Sequence, residues 1–266
     1  MHCNSHVKHT ILVVSGKGGV GKSTIAANIA LLLVNAGYTV GLLDTDIYGP
    51  SIPKIFGINK KLKIVNHQLI PYVVQGIQLM SIGFLTSGES ALIWRGPMIS
   101  KVLEQLFKMT QWNKIGKKID YLIIDTPPGT GDIHINIMKN YSISGAFVIT
   151  TPQTLATVDA FKAIDMLKTM KIKILGVLEN MAYFIDDQKK TQQIFGRSKI
   201  KHYCRNHHIC FLGSLPFSST VAHTYFFSHN TKTFQSILSC CKYTNTFRTH
   251  IYKKSFSTSF KHYINS

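Results

Sequence analysis

Apolar residues fall in short unbroken runs that alternate with stretches of helical periodicity. Residues 10–15, 38–44, 119–125, 145–150, 173–179 and 209–215 have the length and β-branched content of buried strands. Between them, residues 23–35 carry Ile25, Ile29, Leu32 and Leu33 at helical spacing, and Gly37 follows as a stop signal. Residues 97–112 repeat the pattern through Ile99, Val102, Leu103, Leu106 and Phe107, and residues 153–169 also read as a helix. Residues 61–84 alternate apolar and polar positions, which predicts a hairpin at a sheet edge. Residues 189–206 read as a helix that Gly196 interrupts. Strands alternating with helices predict an α/β fold: a mostly parallel sheet flanked by helices on both faces.

The first strand runs into Gly16-Lys17-Gly18-Gly19-Val20-Gly21-Lys22-Ser23-Thr24, and the first helix follows at once. Gly16 to Ser23 fits the spacing of a phosphate-binding loop. Backbone N–H groups can curl around an anion only where side chains do not intrude, which accounts for the glycines. The helix start adds its positive dipole end. In this arrangement Lys22 reaches the β- and γ-phosphates of ATP and the Ser23 hydroxyl ligates Mg²⁺. Ligands of such sheets bind beyond the carboxyl ends of the strands. Asp125 ends one strand there, and Asp44 with Asp46 ends another. Asp125 is placed to orient the Mg²⁺ shell. Of Asp44 and Asp46, one can contact the metal's water and the other can polarise the water that attacks the γ-phosphate. Gly129 can offer an N–H to that phosphate and withdraw after hydrolysis. Lys17 can reach a nucleotide on a second subunit and neutralise transition-state charge.

Charge changes the picture at one end only. The chain carries a formal +18, yet all 12 acids lie before residue 188. Residues 188–266 hold 12 Lys+Arg and no Asp or Glu, unlike an ordinary folded surface. The expected division is therefore an ATPase domain over residues 1–217 and a basic, acid-free tail over 218–266. Phe234, Ile237, Leu238 and Cys241 have helical spacing within that tail. An eroded or frame-shifted end and a tail that contacts membrane or nucleic acid remain alternative readings of it. The five cysteines (Cys3, Cys204, Cys210, Cys240 and Cys241) show no regular spacing, and a reduced, cytoplasmic setting is expected. Nothing resembles a signal peptide or a membrane span.

The glycine loop with its extra lysine resembles that of the MinD/ParA/NifH-type ATPases. Within that group the chain closely resembles the Mrp/ApbC-type iron–sulfur cluster carriers. The segments that carry the resemblance begin at Asp44 (Asp-Thr-Asp-Ile-Tyr-Gly-Pro-Ser), Trp94 (Trp-Arg-Gly-Pro-Met), Asp120 (Asp-Tyr-Leu-Ile-Ile-Asp-Thr-Pro-Pro-Gly-Thr-Gly-Asp), Thr150 (Thr-Thr-Pro-Gln) and Glu179 (Glu-Asn-Met-Ala-Tyr-Phe). The resemblance implies ATP hydrolysis at a homodimer interface and carriage of a [4Fe–4S] cluster to apoprotein clients. It also implies that Asn180 and Pro216 contact the adenine.

The chain departs from that family at one decisive place. The family usually sets a Cys-x-x-Cys directly after the Glu-Asn-Met-x-Tyr-Phe segment, whereas this chain reads Ile185-Asp186-Asp187-Gln188. Carboxylates substitute poorly for soft thiolates around iron–sulfur clusters. His202, Cys204, His207, His208 and Cys210 offer ligands at short spacing, so a metal site there stays open beside ordinary packing. Three functions compete: a cluster-carrying ATPase, a MinD/ParA-like positioning switch, and a member that binds ATP without a cluster.

Overall fold

The structure is a computed structural model that describes residues 6–85, 96–112, 116, 118–186, 188, 190–196, 198–217 and 231–242. Strand β1 (Val7–Val14) lies centrally, between β7 (Ile119–Asp125) and β8 (Gly145–Thr150). Outward from β7 come β2 (Val40–Asp44) and β6 (Ile77–Ser81); outward from β8 come β9 (Ile174–Ile185) and β11 (Phe211–Pro216). All these pairings are parallel. Two antiparallel strands finish the sheet: β5 (Tyr72–Val74) on β6, and β10 (Thr191–Gln192) on the far end of β9. The expected fold class is thus observed, with antiparallel strands only at the margins.

Parallel strands need crossover helices, and these cover both faces of the sheet. Helix α1 (Lys22–Asn35) is buried along almost its whole length, from Ile25 to Leu33. Helices α3 (Gly96–Met109), α4 (Asp132–Asn140) and α5 (Thr154–Thr169) complete the main crossovers. The core is one continuous cluster around Ile11, Leu12, Val13, Leu42, Leu43, Ile123, Ile124, Phe147 and Val148. No helix among the described residues is long and apolar enough to cross a membrane.

Three details differ from the sequence pattern. Residues 61–84 form two hairpins: β3 (Lys63–Val65) with β4 (Gln68–Ile70), outside the main sheet, and the edge pair β5–β6. Each turns through two residues of positive φ, Asn66 and His67 (49° and 61°) and Gln75 and Gly76 (48° and 79°). Such turns match the twist of the flanking strands. Residues 189–206 are not one helix. Asp186 accepts hydrogen bonds from the Lys190 amide at 2.8 Å and Gln192 Nε2 at 2.9 Å, which folds the chain back as β10. Helix α6 then covers only Ile200–Asn206. Two helices escape the periodicity: α4 and the single turn α2 (Ile52–Ile55). The helical spacing in the tail corresponds to helix α7 (Thr231–Lys242), which packs against α1, β9 and β11. Its Ile237 and Cys241 are fully buried, and Tyr121 Oη donates to the Cys241 carbonyl at 3.2 Å.

Candidate functional site

Strand β1 delivers Ser15 to the carboxyl edge of the sheet, and the chain reverses there through Gly19 and Gly21 at φ 79° and 83°. Gly21 caps α1 with no side-chain hydrogen bond, so the first amides of the helix are left for another partner. The loop is pressed on both sides. A Cβ at Gly16 would lie 2.0 Å from the Asp159 carbonyl oxygen, and one at Gly21 would lie 2.3 Å from Asn180 Nδ2. Asn180 Nδ2 in turn donates to the Val20 carbonyl at 2.9 Å, bracing the loop from the end of β9.

Sheet register sets the acids beside this loop. Asp44 and Asp125 are direct neighbours across β2–β7, and Val13 faces Asp125 across β1–β7. Lys22 Nζ lies 2.6 Å from Asp125 Oδ1 and 3.9 Å from Asp46 Oδ2, all three side chains being buried or nearly so. Burial raises the Asp125 carboxyl's pKa against the opposing pull of Lys22 and the Ser23 hydroxyl. Asp125 Oδ2 is buried without a hydrogen-bond partner, and Ser23 sits against the same carboxylate. An unpartnered carboxylate oxygen beside a hydroxyl is a donor set that suits a hard cation such as Mg²⁺.

The two aspartates at the end of β2 have different partners. Asp44 Oδ1 accepts from the Asp46 amide at 3.0 Å, while Oδ2 accepts from Ser81 Oγ at 3.0 Å and the Ile52 amide at 3.3 Å. Asp44 is thereby engaged in shaping the loop that carries Asp46. Burial and the neighbouring Asp125 charge push its pKa up to about 7. Asp46 faces Lys22 with Oδ2, and its Oδ1 accepts from the Tyr48 and Gly49 amides at 3.2 and 3.3 Å.

After Asp125 the chain crosses the loop's mouth. The Gly129 amide, at φ 95°, donates to the Ser15 carbonyl at 2.8 Å, so in this state it is bound to the loop itself. Behind this segment sits His134 on α4, 1% exposed. Its ring nitrogens face the backbone of Pro127 and Gly131, and neither reaches hydrogen-bonding geometry. Burial lowers the pKa of this imidazole below its usual 6.5. The unfolded chain therefore takes up this proton first as pH falls, and the native state loses stability below about 6.5. We expect wild type to lose up to about 1.4 kcal/mol per pH unit relative to His134→Gln between pH 6.5 and 5. Denaturant titrations across that range measure it; parallel curves would refute a buried neutral imidazole.

The remaining expected site residues lie in the loop itself, on β9 and at the end of β11. Lys17 is half-buried, its carbonyl accepting from Ser15 Oγ at 3.0 Å, and its ammonium has no hydrogen bond among the described residues. Gly18 lies over Pro128. Thr24 lies in the first turn of α1, and its carbonyl accepts from Asn28 Nδ2 at 2.8 Å. Asn180 Oδ1 is buried and unpartnered, while Pro216 ends β11 opposite Tyr183.

Residues 6–241 match the family model described as ParA, NUBPL iron-transfer P-loop NTPase. The chain belongs to this family. The iron–sulfur cluster carrier protein of Rickettsia typhi is 50% identical over 188 residues, covering 71% of this chain and 58% of that protein. That of Aquifex aeolicus is 46% identical over 220 residues, covering 81% of this chain and 59% of that protein. The chain thus spans about three fifths of the length of these curated relatives. Among solved structures, a nucleotide-binding protein of Archaeoglobus fulgidus in complex with ADP is 32% identical, with a TM-score of 0.70 over 92% of this chain and 94% of that one. The cell division ATPase MinD of Pyrococcus furiosus shares the fold at 19% identity and TM-score 0.61, covering 88% of this chain and 98% of that one.

The place where the resemblance sets a Cys-x-x-Cys lies at the far end of β9. Asp186 uses both carboxylate oxygens to close the β9–β10 hairpin; Asp187 lies outside the described residues. The His202–Cys210 segment does not gather a metal site either. Cys204 is fully buried, and no group of three His, Cys, Asp or Glu side chains able to hold a metal occurs among the described residues. Ser81 and His134 are site residues that periodicity alone does not single out. Ser81 matters only because β6 pairs with β2, and His134 only because α4 tucks under the Pro127–Gly131 segment.

Proposed function

We propose that this family member binds Mg-ATP at Gly16–Thr24 and hydrolyses it as a homodimeric switch that gates transfer of iron–sulfur clusters to apoprotein clients. The observation that carries the nucleotide part is the buried Lys22–Asp125 pair beside Ser23, with one Asp125 oxygen unpartnered. Phosphate binding draws Lys22 toward the anion, which leaves Asp125 and Ser23 to hold Mg²⁺. Bound there, the ion neutralises charge on the β- and γ-phosphates. Asp44 fixes the loop and Asp46 orients the attacking water. Gly129 exchanges its bond to Ser15 for one to the γ-phosphate, so the loop's position reports which nucleotide is bound. Lys17 acts across the dimer on the partner's nucleotide, and Asn180 and Pro216 line the adenine. The cluster is cargo, and residues 185–188 do not supply thiolates for it. Cluster carriage rests on the family and on its curated relatives.

One experiment separates the parts. Wild type and Lys17→Ala are assayed for ATP binding and turnover, and both are incubated anaerobically with iron and sulfide for iron counting and absorbance. The expected result is unchanged ATP affinity with turnover slowed at least tenfold in Lys17→Ala, and iron retained at cluster stoichiometry per dimer in both. Equal turnover sinks the lysine's role across the interface. Full turnover without retained iron overturns cargo carriage and leaves a nucleotide switch.

A further inference from the structure

Two cysteines meet at the opposite end of the sheet from the glycine loop. Cys210 directly precedes β11, at the amino-terminal end of that strand. Its carbonyl accepts from the Val177 amide at 2.8 Å, which fixes its backbone to β9. Cys240 lies on α7, whose rotation is set by the fully buried Ile237 and Cys241 and by the Tyr121 bond to the Cys241 carbonyl. This docking brings two residues thirty apart in sequence together, and the Cys210 and Cys240 thiols share a hydrogen bond. Both are partly buried, whereas Cys204 and Cys241 are fully buried.

We propose that Cys210 and Cys240 form a thiol–disulfide exchange site, whose closure ties helix α7 to strand β11. The inference is independent of the nucleotide and cluster readings. Its partner is a low-molecular-weight disulfide of the glutathione class.

The environments assign the roles. Hydrogen bonding from Cys240 lowers the pKa of the Cys210 thiol below its ordinary value, which favours its thiolate as the attacking group. Burial pushes Cys204 and Cys241 up to about 12, and they stay protonated and inert. Cys210 thiolate attacks one sulfur of the small disulfide, whose S–S bond breaks and expels one thiolate. Cys210 now carries a mixed disulfide and no charge. The hydrogen bond and charge that held the Cys240 proton are both gone, while Lys173 still favours a thiolate there. Cys240 gives its proton to the expelled thiolate and attacks the Cys210 sulfur, releasing the second small thiolate. Two protein thiols are oxidised and one small disulfide is reduced to two thiols, so the exchange balances.

The test uses the full chain in glutathione buffers of increasing oxidised fraction, quenched with acid, alkylated and peptide-mapped by mass spectrometry, with hydrogen exchange followed in parallel. The expected product is a peptide pair joined through Cys210 and Cys240 and lighter by two hydrogens. Amide exchange over α7 should slow at least tenfold on oxidation and recover on reduction. Cys240→Ser should stop at one glutathione on Cys210, and Cys210→Ser should leave Cys240 unmodified. Bonds through Cys204 or Cys241, equal glutathione loading of all cysteines, or free Cys210 and Cys240 in the most oxidising buffer would each overturn the proposal. Should a variant fail to fold, the wild-type peptide map alone distinguishes these outcomes.

Discussion

Lys22→Ala should abolish detectable ATP binding and lower turnover by at least about a thousandfold, an effect of about 4 kcal/mol or more. On the proposed reading the lysine meets the β- and γ-phosphates when nucleotide is bound; in this structure its ammonium lies 2.6 Å from Asp125 and 3.9 Å from Asp46. Removing one partner of a buried ion pair strands the other charge, at about 3–5 kcal/mol. Protonation relieves part of this cost, because burial already raises the Asp125 pKa and loss of Lys22 raises it further. A carboxylate whose folded pKa exceeds its unfolded value stabilises the fold at low pH and loses that stabilisation as pH rises through the folded value. The variant should therefore approach wild-type stability near pH 5 and fall well below it at pH 8. Isothermal titration with ATP and urea unfolding at both pH values check the two effects. A variant equally destabilised at pH 5 and 8 would show that the pair does not exist in solution.

Gly16→Ala should be nearly as damaging, through the backbone. The added Cβ would lie 2.0 Å from the Asp159 carbonyl oxygen and 2.1 Å from its carbon. No rotamer change can clear a backbone carbonyl, so either α5 or the loop must move. Overpacking of this kind costs about 1–3 kcal/mol. The functional loss is larger, since the loop amides bind phosphate only in one geometry. Wild type should gain about 2.7 kcal/mol from ATP at a hundred times its dissociation constant. Gly16→Ala should gain almost none under the same conditions. Thermal unfolding with and without Mg-ATP reads this directly. A ligand-induced rise equal to wild type's would show that the loop tolerates the displacement.

Much of this site is local chemistry, and so it is written in short segments. Glycines at 16, 18, 19 and 21, then Lys22 and Ser23 opening a helix, define a phosphate loop by spacing alone. The apolar runs before Ser15, Asp44 and Asp125 mark the strands whose ends carry the chemistry, because a strand buried on both faces admits almost no polar residue. Family membership is legible for the same reason.

Other features depend on pairs that meet only after folding. Asp44 and Asp46 are alike in sequence, but register places Ser81 beside Asp44 and leaves Asp46 facing Lys22. Asp186 lies in the segment where the cysteines are expected, yet only the β9–β10 hairpin shows both its oxygens engaged. Cys240 reads in the sequence as half of an adjacent pair, and only the docking of α7 brings it to Cys210. Periodicity records which face of an element is apolar, and motif spacing records what a few consecutive residues can bind. Neither records which elements become neighbours. The chain by itself thus determined the fold class, the phosphate loop and the family. The tertiary structure decided which aspartate holds the loop, which histidine lies beneath it and which thiols meet, because those contacts exist only when distant segments share one core.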